Sequence, residues 1–166
     1  LIDFPNTEIK IENLALGSSE KVINIKHLNE SSSSTIKNIN RDSKYFKKKF
    51  FFLGNSKTDQ LYELHKVNQI LLEKYYFENI KKDIDLIKID TEGYEFEVLK
   101  GSIKILNFSK FILFEHHYDD MISKNYVFSD IHELLTANNF VRIYKSKMPF
   151  RKTFEYIYLN KGFSQN

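Results

Sequence analysis

The chain has 166 residues, is 42% hydrophobic and 15% aromatic, and carries a formal net charge of +3. That length and apolar content suit one globular domain and exclude a disordered chain, and so mild a charge is no nucleic-acid footprint. The lack of cysteine excludes disulfides and thiolate metal sites, no apolar run reaches the roughly 20 residues of a membrane span, and Leu1-Ile2-Asp3-Phe4-Pro5 has no signal-peptide character.

Phe4-Pro5-Asn6-Thr7 reads as a turn, and the alternation of Ile9 and Ile11 predicts a strand over Glu8–Leu16. A second strand is expected at Lys21–Lys26, joined to the first in a hairpin by Gly17-Ser18-Ser19, with Gly17 at a positive-φ position. From Leu28 to Arg41 the chain is rich in Ser and Asn and reads as a loop. Tyr45–Leu53 interleaves aromatic rings with Lys47, Lys48 and Lys49. Such a run would suit single-stranded nucleic acid; more simply, it anchors a core beside a solvated lysine turn. Thr58–Leu64 predicts a short helix, His65–Leu71 a strand in which His65 is a surface or packing residue, and Leu72–Ile80 a helix.

The centre of the chain is Asp85–His117. Leu86–Ile89 and Phe111–Phe114 are short apolar runs of the kind buried on both faces in a parallel sheet. Phe96, Leu99, Ile103 and Leu106 recur at helical spacing between them. Strand, helix, strand is a βαβ unit with a right-handed crossover. Its first strand ends in Asp90 and Glu92, its second in Glu115, His116, His117 and Asp119. Ligands of open α/β sheets bind outside the carboxyl ends of the strands, so these clusters should share one rim. Alternation along the strand leaves one of His116 and His117 facing the site. Glu92 could instead cap a helix beginning near Gly93, and Glu95 and Glu97 read as that helix's solvated face. The six rim residues could also hold a divalent cation, although no HxH or HxxxH spacing supports one.

Beyond the rim, Tyr118–Asn125 reads as a polar loop or short helix. Ser129 or Asp130 is placed to cap a helix, with Glu133 completing a capping box and Phe128, Ile131, Leu134 and Leu135 as its buried stripe. Phe140–Lys145 and Thr153–Leu159 predict an antiparallel pair at one edge, with Phe154, Tyr156 and Tyr158 on one face. No internal repeat is present.

Lys88-Ile89-Asp90-Thr91-Glu92-Gly93-Tyr94-Glu95, then Val98-Leu99-Lys100-Gly101, then Ile112-Leu113-Phe114-Glu115-His116 resembles the signature of the FkbM-family methyltransferases. Glu12-Asn13-Leu14-Ala15-Leu16-Gly17 resembles that family's N-x-A-L-G, and Gln69–Tyr75 its T-L-D-x-Y/F segment, with Glu73 in the Asp position. The resemblance spans about residues 8 to 160. It implies an α/β fold: a Rossmann-like class I methyltransferase sheet, mostly parallel, closed by a C-terminal antiparallel strand pair. It implies S-adenosylmethionine as cofactor and O-methylation of a sugar hydroxyl on a glycan, glycolipid or polysaccharide.

The chain departs from the family where the glycine-rich loop after the first strand belongs, since its five glycines form no Gly-x-Gly. Residues 1–166 are therefore expected to be a partial methyltransferase domain running from the third strand, lacking the first two, with a variable insertion at about 28–64 that selects the acceptor. On the fold that the resemblance implies, Asp90, Glu92, Glu115 and His116 at the rim are the candidates for catalysis and Asn13, Ala15, Leu16 and Asp90 those for the cofactor; no metal is assigned. His116 or His117 would be the base that takes the acceptor's proton. A saccharide or glycolipid partner and a cytoplasmic location are expected, with no nucleic acid and no membrane span. The alternative is a catalytically inactive fragment or accessory domain that binds a glycan or a protein.

Overall fold

In the computed structural model, which describes residues 8–28, 34–44, 46–48, 62–149 and 151–163, the strands form two four-stranded sheets. The first has the order β1-β4-β2-β3, from Ala15–Leu16 (β1), Lys21–Leu28 (β2), Ser34–Thr35 (β3) and Tyr62–Ile70 (β4). The second has the order β5-β6-β8-β7, from Ile84–Ile89 (β5), Ser109–His117 (β6), Phe140–Lys147 (β7) and Thr153–Asn160 (β8). Between them, among the described residues, lie the helical segments α1 (Leu72–Tyr75), which runs on into a π turn at Tyr76–Ile80; α2 (Glu95–Lys100), followed by a 3-10 segment at Ile103–Phe108; and α3 (Phe128–Ala137).

The fold is α/β, with the expected antiparallel pair at the end of the chain, β7 with β8. The sheets are mixed, however, not mostly parallel. Among the described strands only β1–β4 and β5–β6 pair in parallel. β2 runs antiparallel between β4 and β3, and β8 antiparallel between β6 and β7.

Local expectations fail where a tertiary contact decides. Glu8–Leu16 does not form a hairpin arm: only Ala15–Leu16 is strand, parallel to β4, and Ile9 and Ile11 are 78% and 89% exposed. An alternating run without a ladder partner has nothing to satisfy its backbone as a strand. Gly17 does not have the positive φ expected of it. It is small because a Cβ there would stand 2.4 Å from the Gln69 side chain, while its N–H extends the ladder to Ile70 O at 3.0 Å. Tyr62–Leu64 belongs to β4 rather than to a helix. Residues 58–61 lie outside the described residues, as do Tyr45 and residues 49–53 of the aromatic-basic run, whose Phe46 packs on Met121 and Ile122. The helix read through Leu106 stops at Lys100. Gly101 follows because a Cβ there would lie 2.0 Å from Gly17 O, and a 3-10 segment completes the crossover.

The core lies between the second sheet and the helices α2 and α3. Ile112, Phe114, Tyr156 and Tyr158 point from the sheet to meet Val98, Leu99, Ile131 and Leu135, all at 2% exposure or less. Each such side chain contributes about 1.5–3 kcal/mol of burial. Phe114 stacks on Tyr156 at 5.4 Å and on Tyr158 at 5.8 Å. The start of α3 is fixed by Asp130, whose carboxylate accepts the Val127 N–H at 2.8 Å, so Asp130 caps from inside the first turn rather than from the position before it. β5 departs from the expectation of burial on both faces: Asp85, Leu86 and Lys88 are exposed, because among the described strands it pairs on one edge only, with β6.

Candidate active site

The parallel register of β5 on β6 pairs Ile89 with Phe114 and so brings the two strand ends to one rim. Asp90 follows β5 in an exposed position, 3.6 Å from Lys88 Nζ. The chain then turns sharply, with Glu92 at φ 48° and Gly93 at φ 96°. Gly93 is required both by that backbone and by space, since a Cβ would meet the Ile122 side chain at 2.6 Å. The turn is held from inside. Glu95, 1% exposed, accepts the Gly93 N–H at 2.9 Å, the Thr91 hydroxyl at 3.3 Å and the Tyr126 hydroxyl. From the first sheet, the Thr35 hydroxyl donates to Glu92 O at 2.8 Å. Glu95 is thus a buried clamp instead of a solvated charge. Glu97 is buried too, bonded to Ser18 and 2.7 Å from Lys100; burial alone would raise its pKa, and those two partners lower it.

The turn aims Glu92 across to β6, so it is no helix cap. Its Oε2 lies 3.1 Å from His117 Nε2, an ion pair outside hydrogen-bond alignment. His117 Nδ1 is 3.0 Å from Thr153 Oγ1 and 3.8 Å from Asp119 Oδ2. Burial works against a charged ring, but Asp119 and Glu92 outweigh it and hold the His117 pKa up at about 9. Asp119 is pulled below the usual carboxylate range against its own burial, by His117 and the Met121 N–H. Glu115, on the same strand face as His117, has its pKa raised by burial and by Asp90, Glu155 and Glu92, with His117 opposing.

His116 points the other way. Its ring lies 4.7 Å from Tyr118, 5.8 Å from Tyr126 and 5.7 Å from Phe128. Burial, with Lys124 and His117 adding to it, pushes its pKa down to about 4, and its buried Nδ1 has no hydrogen-bond partner among the described residues. The structure therefore gathers Asp90, Glu92, Glu115, His117 and Asp119 at the rim and sets His116 on the opposite face. Among the described residues no group of three or more His, Asp or Glu side chains is arranged to hold a metal ion.

Beside the rim, a cleft of about 420 Å³ separates β1 from β5. Leu14, Ala15, Leu16, Ile25, Ile36, Ile87, Ile89 and Val98 give it apolar walls, while Thr35, Lys88, Asp90 and Thr91 supply polar groups. Ala15, Leu16 and Asp90 are thus brought together, whereas Asn13 is exposed and does not line the cleft. His116, not His117, was assigned to catalysis; the i, i+2 relation to Glu115 is the signal that selects His117 as the rim histidine. Thr35, inside a serine-rich stretch, carried no such signal.

An α/β domain with carboxylates and an imidazolium at the ends of two parallel strands, opening on an apolar cleft, has the layout of a small-molecule site. The model of the methyltransferase FkbM domain matches residues 3–142, and the chain belongs to that family. No curated protein and no solved structure matches the chain. No described helix is long and apolar enough to cross a membrane.

Proposed function

We propose that this chain is an S-adenosylmethionine-dependent O-methyltransferase domain acting on a sugar hydroxyl of a glycan, glycolipid or polysaccharide in the cytoplasm. The carrying observation is Asp90, which lines the apolar cleft and also acts electrostatically on Glu115 at the rim. The cleft fits the cofactor by its chemistry: aliphatic walls for a purine, and the hydroxyls of Ser34, Thr35 and Thr91 with the Asp90 carboxylate for a ribose diol or a sulfonium. Its volume lies within the usual range for small-molecule sites. Adenosylmethionine, when bound, supplies an electrophilic methyl group.

The residues of this chain orient the acceptor hydroxyl and remove its proton. Asp90 and Glu115 are the carboxylates placed to accept it, and the raised pKa of Glu115 suits a base working closer to neutrality. His117, charged at neutral pH, fixes Glu92 and balances the negative rim. His116, neutral at that pH, has no hydrogen-bond partner at Nδ1 among the described residues. We further propose that residues 1–166 correspond to the third strand onward of a Rossmann-like domain, with the acceptor-selecting insertion at about 28–64.

A second reading, an inactive or accessory glycan- or protein-binding domain, is favoured by one feature: no Gly-x-Gly occurs in the sequence. Calorimetric titration with S-adenosylhomocysteine separates the two. Binding by this chain, or by a version extended upstream, that falls at least tenfold in Asp90→Ala supports the methyltransferase. Failure of both versions to bind hands the case to the accessory domain.

A further inference from the structure

The rim is not the only concavity with chemistry in it. At the opposite end of the second sheet, where β7 begins and β8 ends, a hollow of about 500 Å³ is lined by His132, Thr136, Asn139, Phe140, Arg142 and Lys161. That end is fixed by the register: Phe140 pairs with Asn160, and Asn160 Nδ2 donates to Ser109 O at the start of β6, eight residues before His117. Every ionisable side chain lining the hollow is basic. Arg142 and Lys161 form no ion pair with a described residue. His132 and Arg142 both neighbour Tyr158: His132 Nδ1 is 2.8 Å from its hydroxyl, and Arg142 is its cross-strand partner.

We propose that this hollow binds a phosphoryl group. A guanidinium offers a planar fork to two phosphate oxygens and an ammonium adds a point charge. Thr136 and Asn139 line the same hollow, the Thr136 hydroxyl donating back to His132 O at 2.8 Å and Glu133 O at 3.1 Å. Two cations that pair with no described carboxylate around one concavity match a dianion better than a monoanionic carboxylate. The site is independent of methyl transfer and of the cofactor cleft. Cations beside the carbonyl end of α3 would also be favoured by the helix dipole alone, and the experiment distinguishes that case.

The whole chain is titrated at constant ionic strength with inorganic pyrophosphate and, separately, with a sugar 1-phosphate, and is co-sedimented with vesicles containing phosphatidic acid. Saturable binding that drops at least tenfold in R142Q/K161Q, but not in the exposed control K82Q, is the expected result. Binding of the soluble probes identifies a free phosphate ester; binding of vesicles alone, lost in the same double variant, identifies a lipid headgroup. Both variants are checked for wild-type circular dichroism. If no probe binds, or if R142Q/K161Q binds as well as wild type while losing thermal stability, the cations serve only the helix end and the proposal is overturned.

Discussion

Moving this protein in either direction from about pH 6.5 should destabilise it, because two adjacent histidines have been pushed in opposite directions. His117 has its pKa raised from 6.5 to about 9. A raised folded value means that the folded state holds the proton more tightly. The stabilisation is complete below pH 6.5 and is lost as pH rises through 9. Each tenfold change in proton affinity corresponds to about 1.4 kcal/mol, so the loss between pH 6.5 and 9 is about 3 kcal/mol. His116 is lowered to about 4. Below pH 6.5 the unfolded chain takes up a proton there that the folded chain refuses until pH 4, so about 3 kcal/mol is lost on that side too. Glu115 opposes the acid limb, since its raised pKa favours the folded state as pH falls through that value. Lys124, lowered by burial, opposes the alkaline limb.

Against a typical total of about 5–15 kcal/mol, either limb is large. Urea denaturation followed by circular dichroism, in half-unit pH steps at fixed ionic strength, reads the whole curve. Wild type should show a maximum near pH 6.5. His117→Gln should flatten the alkaline limb, Glu92→Gln should shorten it, and His116→Phe should shorten the acid limb, the remainder of which comes from Asp119 and Glu97, both held below their usual values. A wild-type curve that is level from pH 6.5 to 9, or an alkaline fall that survives in His117→Gln, would refute the ion-pair reading of the rim.

Two further perturbations probe how the rim is built. Glu95→Leu strands the Gly93 N–H and the Tyr126 hydroxyl without their acceptor. At about 1–3 kcal/mol per unsatisfied buried group, a loss of about 3 kcal/mol is expected in urea denaturation; Tyr126→Phe, which removes only one donor, should lose less, and the reverse order would refute the clamp. Gly101→Ala keeps an ordinary φ but drives a Cβ against Gly17 O, which should cost about 1–3 kcal/mol as overpacking. It should also weaken S-adenosylhomocysteine binding by moving β1, with Ala15 and Leu16, away from the cleft; unchanged stability in that variant would mean that the close approach does not exist.

What was legible in the sequence, and what was not, divides by the range of the deciding contact. The face made by Tyr156 and Tyr158, the β5–β6 ends and the carboxylates after them follow from periodicity two and from the rule that ligands sit at strand carboxyl ends. Glu95 and Glu97 were read as solvated because isolated carboxylates avoid burial. Their partners Tyr126 and Ser18 lie 31 and 79 residues away, beyond the reach of any local pattern. The break at Gly101 has its cause in the close approach of Gly17, 84 residues earlier in the chain. Glu8–Leu16 carried the alternation of a strand but lacked the neighbour that makes one.

The backbone at Glu92 links these observations. A non-glycine residue at positive φ costs about 1–2 kcal/mol, and the sequence around it keeps it there: Glu95 holds the next N–H, Thr35 holds the Glu92 carbonyl, and Gly93 yields to Ile122. Were the turn relaxed into a helical start, Glu92 would cap α2 and leave His117 to Asp119 alone. The strain instead delivers a second carboxylate to a buried imidazole and keeps Asp90 outside that pair, exposed between cleft and rim. Strain that survives because three separate elements maintain it is the kind found where function requires the geometry. That is the physical reason to look for the reacting proton at Asp90 and Glu115, the two carboxylates left outside the His117 ion pairs.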